Sequence, residues 1–86
     1  MVFNIVVKVA LGQRHEVRVT NEDGIIRYRS VRAVYECTNY RVLGYIEKRP
    51  TRGVWEAFNG DARTIGQYTS RESAIHYIIR HAIQGY

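Results

Sequence analysis

One cysteine and one proline stand among 86 residues, and lysine is nearly absent. Cys37 alone can form neither an intramolecular disulfide nor a cysteine-rich metal site. Its neighbours Glu36 and Thr38 supply no base, so it reads as a structural thiol in a reducing, cytoplasmic setting. No apolar run approaches the roughly 20 residues that span a bilayer, so no membrane partner is expected. The apolar start, Met1 to Leu11, is interrupted by Asn4 and Lys8 with no basic segment before it. It reads as a strand and not as a signal peptide.

Catalytic constellations are also missing. There is no GxSxG elbow, no glycine-rich loop opening a helix and no glycine-flanked serine. His76 and His81 are five apart, about 140° around a helix, which is wrong for sharing one ion. Glu47 and Glu56 could lie on adjacent strands, but Lys48, Arg49 and Arg52 nearby make a surface ion-pair mesh the better reading. The chain is therefore read as non-enzymatic, with no cofactor and no metal.

What is present is ordinary globular composition, 45% hydrophobic and 24% charged. At this length the chain makes a single domain, 1–86, with no linker between its halves 1–39 and 40–86. Basic residues outnumber acidic ones by 13 to 8, for a net charge of +5. Eleven of the 13 are Arg; only Lys8 and Lys48 are Lys. Arginine is the better residue for phosphate forks and base stacking, although a GC-rich genome raises the Arg/Lys ratio just as well.

Along the chain, Phe3, Ile5, Val7, Val9 and Leu11 alternate with polar positions, as a strand over 2–11 requires. Gly12-Gln13 reads as a turn, His15 to Thr20 as a second strand, Asn21-Glu22-Asp23-Gly24 as a hairpin connection and Ile25 to Arg29 as a third strand. Val31, Val34, Tyr35 and Thr38 fall on one helical face behind a Ser30 cap, which predicts a short helix over about 31–38. Val31, Ala33, Tyr35 and Cys37 also alternate, so an extended strand competes. Arg41 to Arg49, Val54 to Phe58 and Arg63 to Tyr68 read as strands. Pro50 stops the first, and Asn59-Gly60-Asp61 turns between the last two. Ser70 caps a helix over about 71–83 with Glu72 in its first turn, an apolar stripe of Ala74, Ile75, Ile78, Ile79 and Ala82, and Gly85 as its stop. The fold class is α+β: antiparallel strands with two helices. Read so, the chain states three strands and a helix twice, with Tyr28-x-Ser30 echoed by Tyr68-x-Ser70, the mark of a duplicated βββα unit.

Basic and aromatic residues interleave over 40–82, at Tyr40, Arg41, Tyr45, Lys48, Arg49, Arg52, Trp55 and Arg63. A three-stranded sheet with a helix on one face leaves the other free to meet DNA. The stretch RPTRGVWEAFNGDARTIGQYTSRESAIHYIIRHA resembles the βββα modules of plant AP2/ERF domains and of phage integrase arm-type DNA-binding domains. The matching residues are Arg49-Pro50, Gly53, Trp55, Ala57, Ile65-Gly66, Tyr68, Ser70, Glu72 and Ala74. The resemblance covers about half the chain and implies that Trp55, Ala57, Tyr68 and Ala74 pack sheet on helix. Of these matches only Arg49 falls on a DNA-contacting position of the AP2 family; Glu47, Glu56 and Phe58 depart from the pattern.

The expected function is a DNA-binding module of the kind found in small regulators or recombination accessory factors of bacteria and their phages. Arg41, Lys48, Arg49, Arg52 and Arg63 would contact the backbone, with Tyr45 as a stacking or sugar contact. The alternative is a protein-interaction module, such as a phage-encoded protein that binds and modifies a host protein. An exposed Phe58 and the two apolar faces of the first strand favour that alternative. The same strand faces predict a homodimer through the N-terminal strand.

Overall fold

The computed structural model describes residues 8–50 and 53–84. The fold is α+β: a five-stranded antiparallel meander in the order β1-β2-β3-β4-β5, followed by one helix. The strands are β1 (Val9–Thr20), β2 (Ile26–Glu36), β3 (Val42–Lys48), β4 (Trp55–Asn59) and β5 (Thr64–Tyr68), and the helix is α1 (Arg71–Gln84).

The helix expected over 31–38 is not there; β2 runs through those residues as strand. The first half therefore holds two strands and no helix, and it does not repeat the βββα order of the second. The helical spacing has a different cause. Val31 and Val34 are both fully buried, but in separate clusters on opposite faces of the sheet. A strand covered on one side at one end and on the other side at the other end mimics an i, i+3 pattern.

The expected turn at Gly12-Gln13 is likewise a β-bulge inside one continuous strand. The β1–β2 register slips between Leu11 and Arg14. The extra residue reverses which side the odd positions face. Val9 and Leu11 thus pack on the helix-side core, whereas Val17 and Val19 pack on the second core. Residues 2–7 of the expected first strand, Arg52 and the Gly85 stop lie outside the described residues.

On the helix face, Ala74 and Ile78 of α1 are completely buried against Val34, Leu43, Ile46 and Ala57. Trp55, opposite Tyr68 on the neighbouring strand, is half-buried at the margin of this core. The helix begins as the sequence predicts: Ser70 Oγ accepts a hydrogen bond from the Ser73 amide at 3.1 Å, a capping contact. Gly44 is buried beneath the helix, where a β-carbon would collide with the Phe58 carbonyl oxygen and the Ile78 side chain.

The sheet's other face is not free. Beyond the Arg32–Ile46 pair β2 leaves β3, and residues 26–31 pair only with β1. This two-stranded arm curls back over the sheet. Val19 and Val31 bury themselves against Phe58 and Ala62, with Val17 and Tyr45 at the edge. Phe58, expected to be exposed, is fully buried as a result. The curl brings the two ends of the meander together: the Thr20 amide donates to the Ala62 carbonyl at 2.9 Å, and Thr20 forms a parallel bridge with Arg63.

Candidate nucleic-acid interface

The described residues among those expected to touch DNA do not share one surface. Arg41 and Lys48 are exposed at opposite ends of β3. Arg41 lines a shallow cleft with Asn59, Asp61 and His81. Tyr45 is half-buried on the inner face, with His15 edge-on to its ring. Arg63 is exposed at the corner where the meander closes. Arg49 is committed elsewhere: its Nη1 lies 3.1 Å from Glu56 Oε1 and 3.8 Å from Glu47 Oε1.

That pairing belongs to a network on the inner face. Arg29 reaches from the arm to Glu47 at 2.5 Å and to Glu56 at 3.7 Å. Glu56 is only 4% exposed and also accepts from Thr64 Oγ1 at 3.0 Å. Burial pushes the Glu47 carboxyl above its ordinary value; the Arg29 charge and hydrogen bond pull it back, the Glu56 charge adds to the rise, and the Arg14 charge lowers it slightly. Every charge here has an opposite partner, so the cluster ties the arm to the sheet. Of the described cations expected to form a surface mesh around these two glutamates, Arg49 pairs with them and Lys48 does not; Arg29 from the arm is the other partner, in a largely buried cluster.

The outer face of the arm is different. Cross-strand register sets Arg14 opposite Arg32, Glu16 opposite Ser30, Arg18 opposite Tyr28 and Thr20 opposite Ile26. Cross-strand partners share a face, and α1 packs on β3, β4 and β5. Arg14, Glu16, Arg18, Ile26, Tyr28 and Ser30 are consequently exposed, Tyr28 at 71%. Arg32 is half-buried, its Nε donating to the Gly12 carbonyl at 2.8 Å. Among the described residues, no carboxylate lies within ion-pair distance of Arg14, Arg18, Arg27 or Arg32. Like charges directly opposite one another on a sheet are unfavourable, and here Arg14 and Arg32 hold that relationship.

Sequence reasoning placed the basic surface on 40–82 and passed over this one. The signal was present as a period-two run of Arg14, Glu16 and Arg18, answered by Tyr28, Ser30 and Arg32 across the hairpin turn. The presumed helix at 31–38 concealed it by ending the third strand at Arg29. Elsewhere, burial pushes the Tyr68 hydroxyl above its ordinary value, with Tyr77 stacked on it at 4.6 Å. Among the described residues no group of His, Cys, Asp and Glu is placed to hold a metal ion, and no helix is long and apolar enough to cross a membrane. No protein family, curated protein or solved structure matches the chain.

Proposed function

We propose that this protein is a non-enzymatic DNA-binding module that lays the outer face of its β1–β2 arm against a duplex. The observation that carries the reading is the set of arginines on that face with no carboxylate at ion-pair distance among the described residues. Arg14 and Arg32 stand opposite one another, and Arg18 stands opposite the exposed ring of Tyr28. A two-stranded ribbon fits the major groove of B-form DNA, whereas the major groove of A-form RNA is too narrow for it. Arginines on such a ribbon reach phosphates and guanine edges. The net charge of +5 works in the same direction.

Titration of a labelled duplex at several salt concentrations tests this. Neutralising about four phosphates gives a log–log salt slope near −3.6. Arg14→Ala and Arg18→Ala should each flatten the slope by about one unit and leave the melting temperature unchanged. A protein-interaction module is the second reading. It is favoured by Ile25 and Ile26, each roughly half-exposed beside Tyr28 at the arm's end. Absence of duplex binding at about 50 mM salt and micromolar protein rejects the DNA reading in its favour.

A further inference from the structure

Among the described residues, two that are not glycine hold a left-handed backbone, Tyr40 at φ 57° and Ala62 at φ 62°. Each closes a turn, with the Tyr40 amide donating to the Glu36 carbonyl at 2.8 Å and the Ala62 amide to the Asn59 carbonyl at 2.9 Å. A side chain is strained there, and glycine or asparagine is preferred. For Ala62 packing supplies the compensation, because it is buried with Val19, Val31 and Phe58. Tyr40 has no such burial. It is 78% exposed. Its ring lies offset from that of Tyr35, 6.3 Å between centroids and 25° between planes, and stays open to solvent.

The charge around this ring is basic. Arg41 follows it and is exposed. Lys8 is exposed too, and its carbonyl accepts from the Cys37 amide of the same turn at 2.9 Å. Among the described residues neither cation lies within ion-pair distance of a carboxylate. Two acids lie in the neighbourhood: Glu36, at the end of β2, and Asp61, which lines the same cleft as Arg41. An exposed aromatic with flanking cations is what stacking on a base requires, and strain kept at an exposed position points to a functional role.

We infer that Tyr40 is a stacking platform for an unpaired base of single-stranded DNA, with Arg41 and Lys8 on the adjoining phosphates. The inference rests on the arm's reading as a duplex contact and adds a second site in the turn that follows β2. From Tyr28 to the end of β2 the chain covers about 26 Å at ~3.3 Å per residue, roughly eight base pairs. Tyr35 pairs with Ala10 and lies on the face opposite Val34 and the arm's outer arginines, so a flexible single-stranded tail turning past the end of β2, and not the duplex itself, would reach Tyr40.

The test compares a blunt labelled duplex of about 16 base pairs with the same duplex carrying a tail of about six nucleotides. The wild type should bind the tailed form about fivefold tighter or more. Tyr40→Gly should lose that gain, keep blunt-duplex binding and melt at least roughly 4 °C higher through relief of strain. Tyr40→Phe should keep the gain. Equal wild-type affinity for both duplexes, or a gain that survives Tyr40→Gly, overturns the platform and leaves the arm's role standing. A lower melting temperature for Tyr40→Gly also overturns it, since the Tyr35 contact would then account for the strain. Binding to neither duplex removes both the arm reading and the platform.

Discussion

Glu47 and Glu56 face each other directly across β3 and β4, two carboxylates held between the guanidinium groups of Arg29 and Arg49. Glu47 makes the stability of this contact dependent on pH. Glu47 is raised above its ordinary value, by burial first. A carboxyl raised in the folded state opposes folding when ionised, and that opposition fades as pH falls through its folded value. Glu47→Gln lacks this dependence. It should match or exceed wild-type stability near neutral pH, and its advantage should shrink as pH falls toward 4, the ordinary carboxylate range. Thermal melts of both proteins across that range check it; an advantage that grows on acidification would rule it out.

Arg49 gives a contrast between stability and binding. Its guanidinium is hydrogen-bonded to the buried Glu56, so Arg49→Ala leaves Glu56 with Arg29 at 3.7 Å and the Thr64 hydroxyl. Breaking one partner of a buried pair costs up to about 3–5 kcal/mol, less here because the Arg49 side chain is 30% exposed. Arg49→Ala should lower the urea midpoint without changing the salt slope of DNA binding. A flattened slope at unchanged stability would place Arg49 on the nucleic acid instead.

Gly44→Ala is expected to be the harshest small substitution in the sheet. The added methyl group meets the Phe58 carbonyl, which is backbone and cannot rotate away, and Ile78 beneath the helix. Overpacking of this kind costs about 1–3 kcal/mol and more where backbone must move, a large part of the ~5–15 kcal/mol that holds a domain together. Circular dichroism melts should show a fall of 4 °C or more, at about 4–8 °C per kcal/mol for a domain of this size. An unchanged melt would mean that β3 and β4 shift freely at this pair.

The second half of the chain was legible because each element there carries its own local signal. Ser70 caps α1 with its own hydroxyl, Asn59 Oδ1 closes its turn onto the Asp61 amide, and Ala74 and Ile78 mark the buried stripe. The Asn21–Gly24 turn was equally plain, with Asp23 Oδ1 accepting from the Ile25 amide and Gly24 at φ 79°. β1 and β2 were misread in part because their burial changes sides midway, Val34 serving one core and Val31 the other. No window of sequence encodes that change, since it follows from the arm folding over Phe58. The sheet face expected to be free is covered for the same reason: the arm packs over it.

The bridge between Thr20 and Arg63 joins the first strand to the last across almost the whole meander. Loop-closure entropy makes such a junction costly to form before the intervening strands have paired. A junction between chain segments so far apart in sequence closes only once the strands between them are in place. The arm is held to the sheet through Val19, Val31 and Phe58 and the Arg29 ion pairs, whereas β3, β4 and β5 lie under the helix. An opening at this corner would free the arm to follow the curvature of a partner while β3, β4 and α1 stay closed.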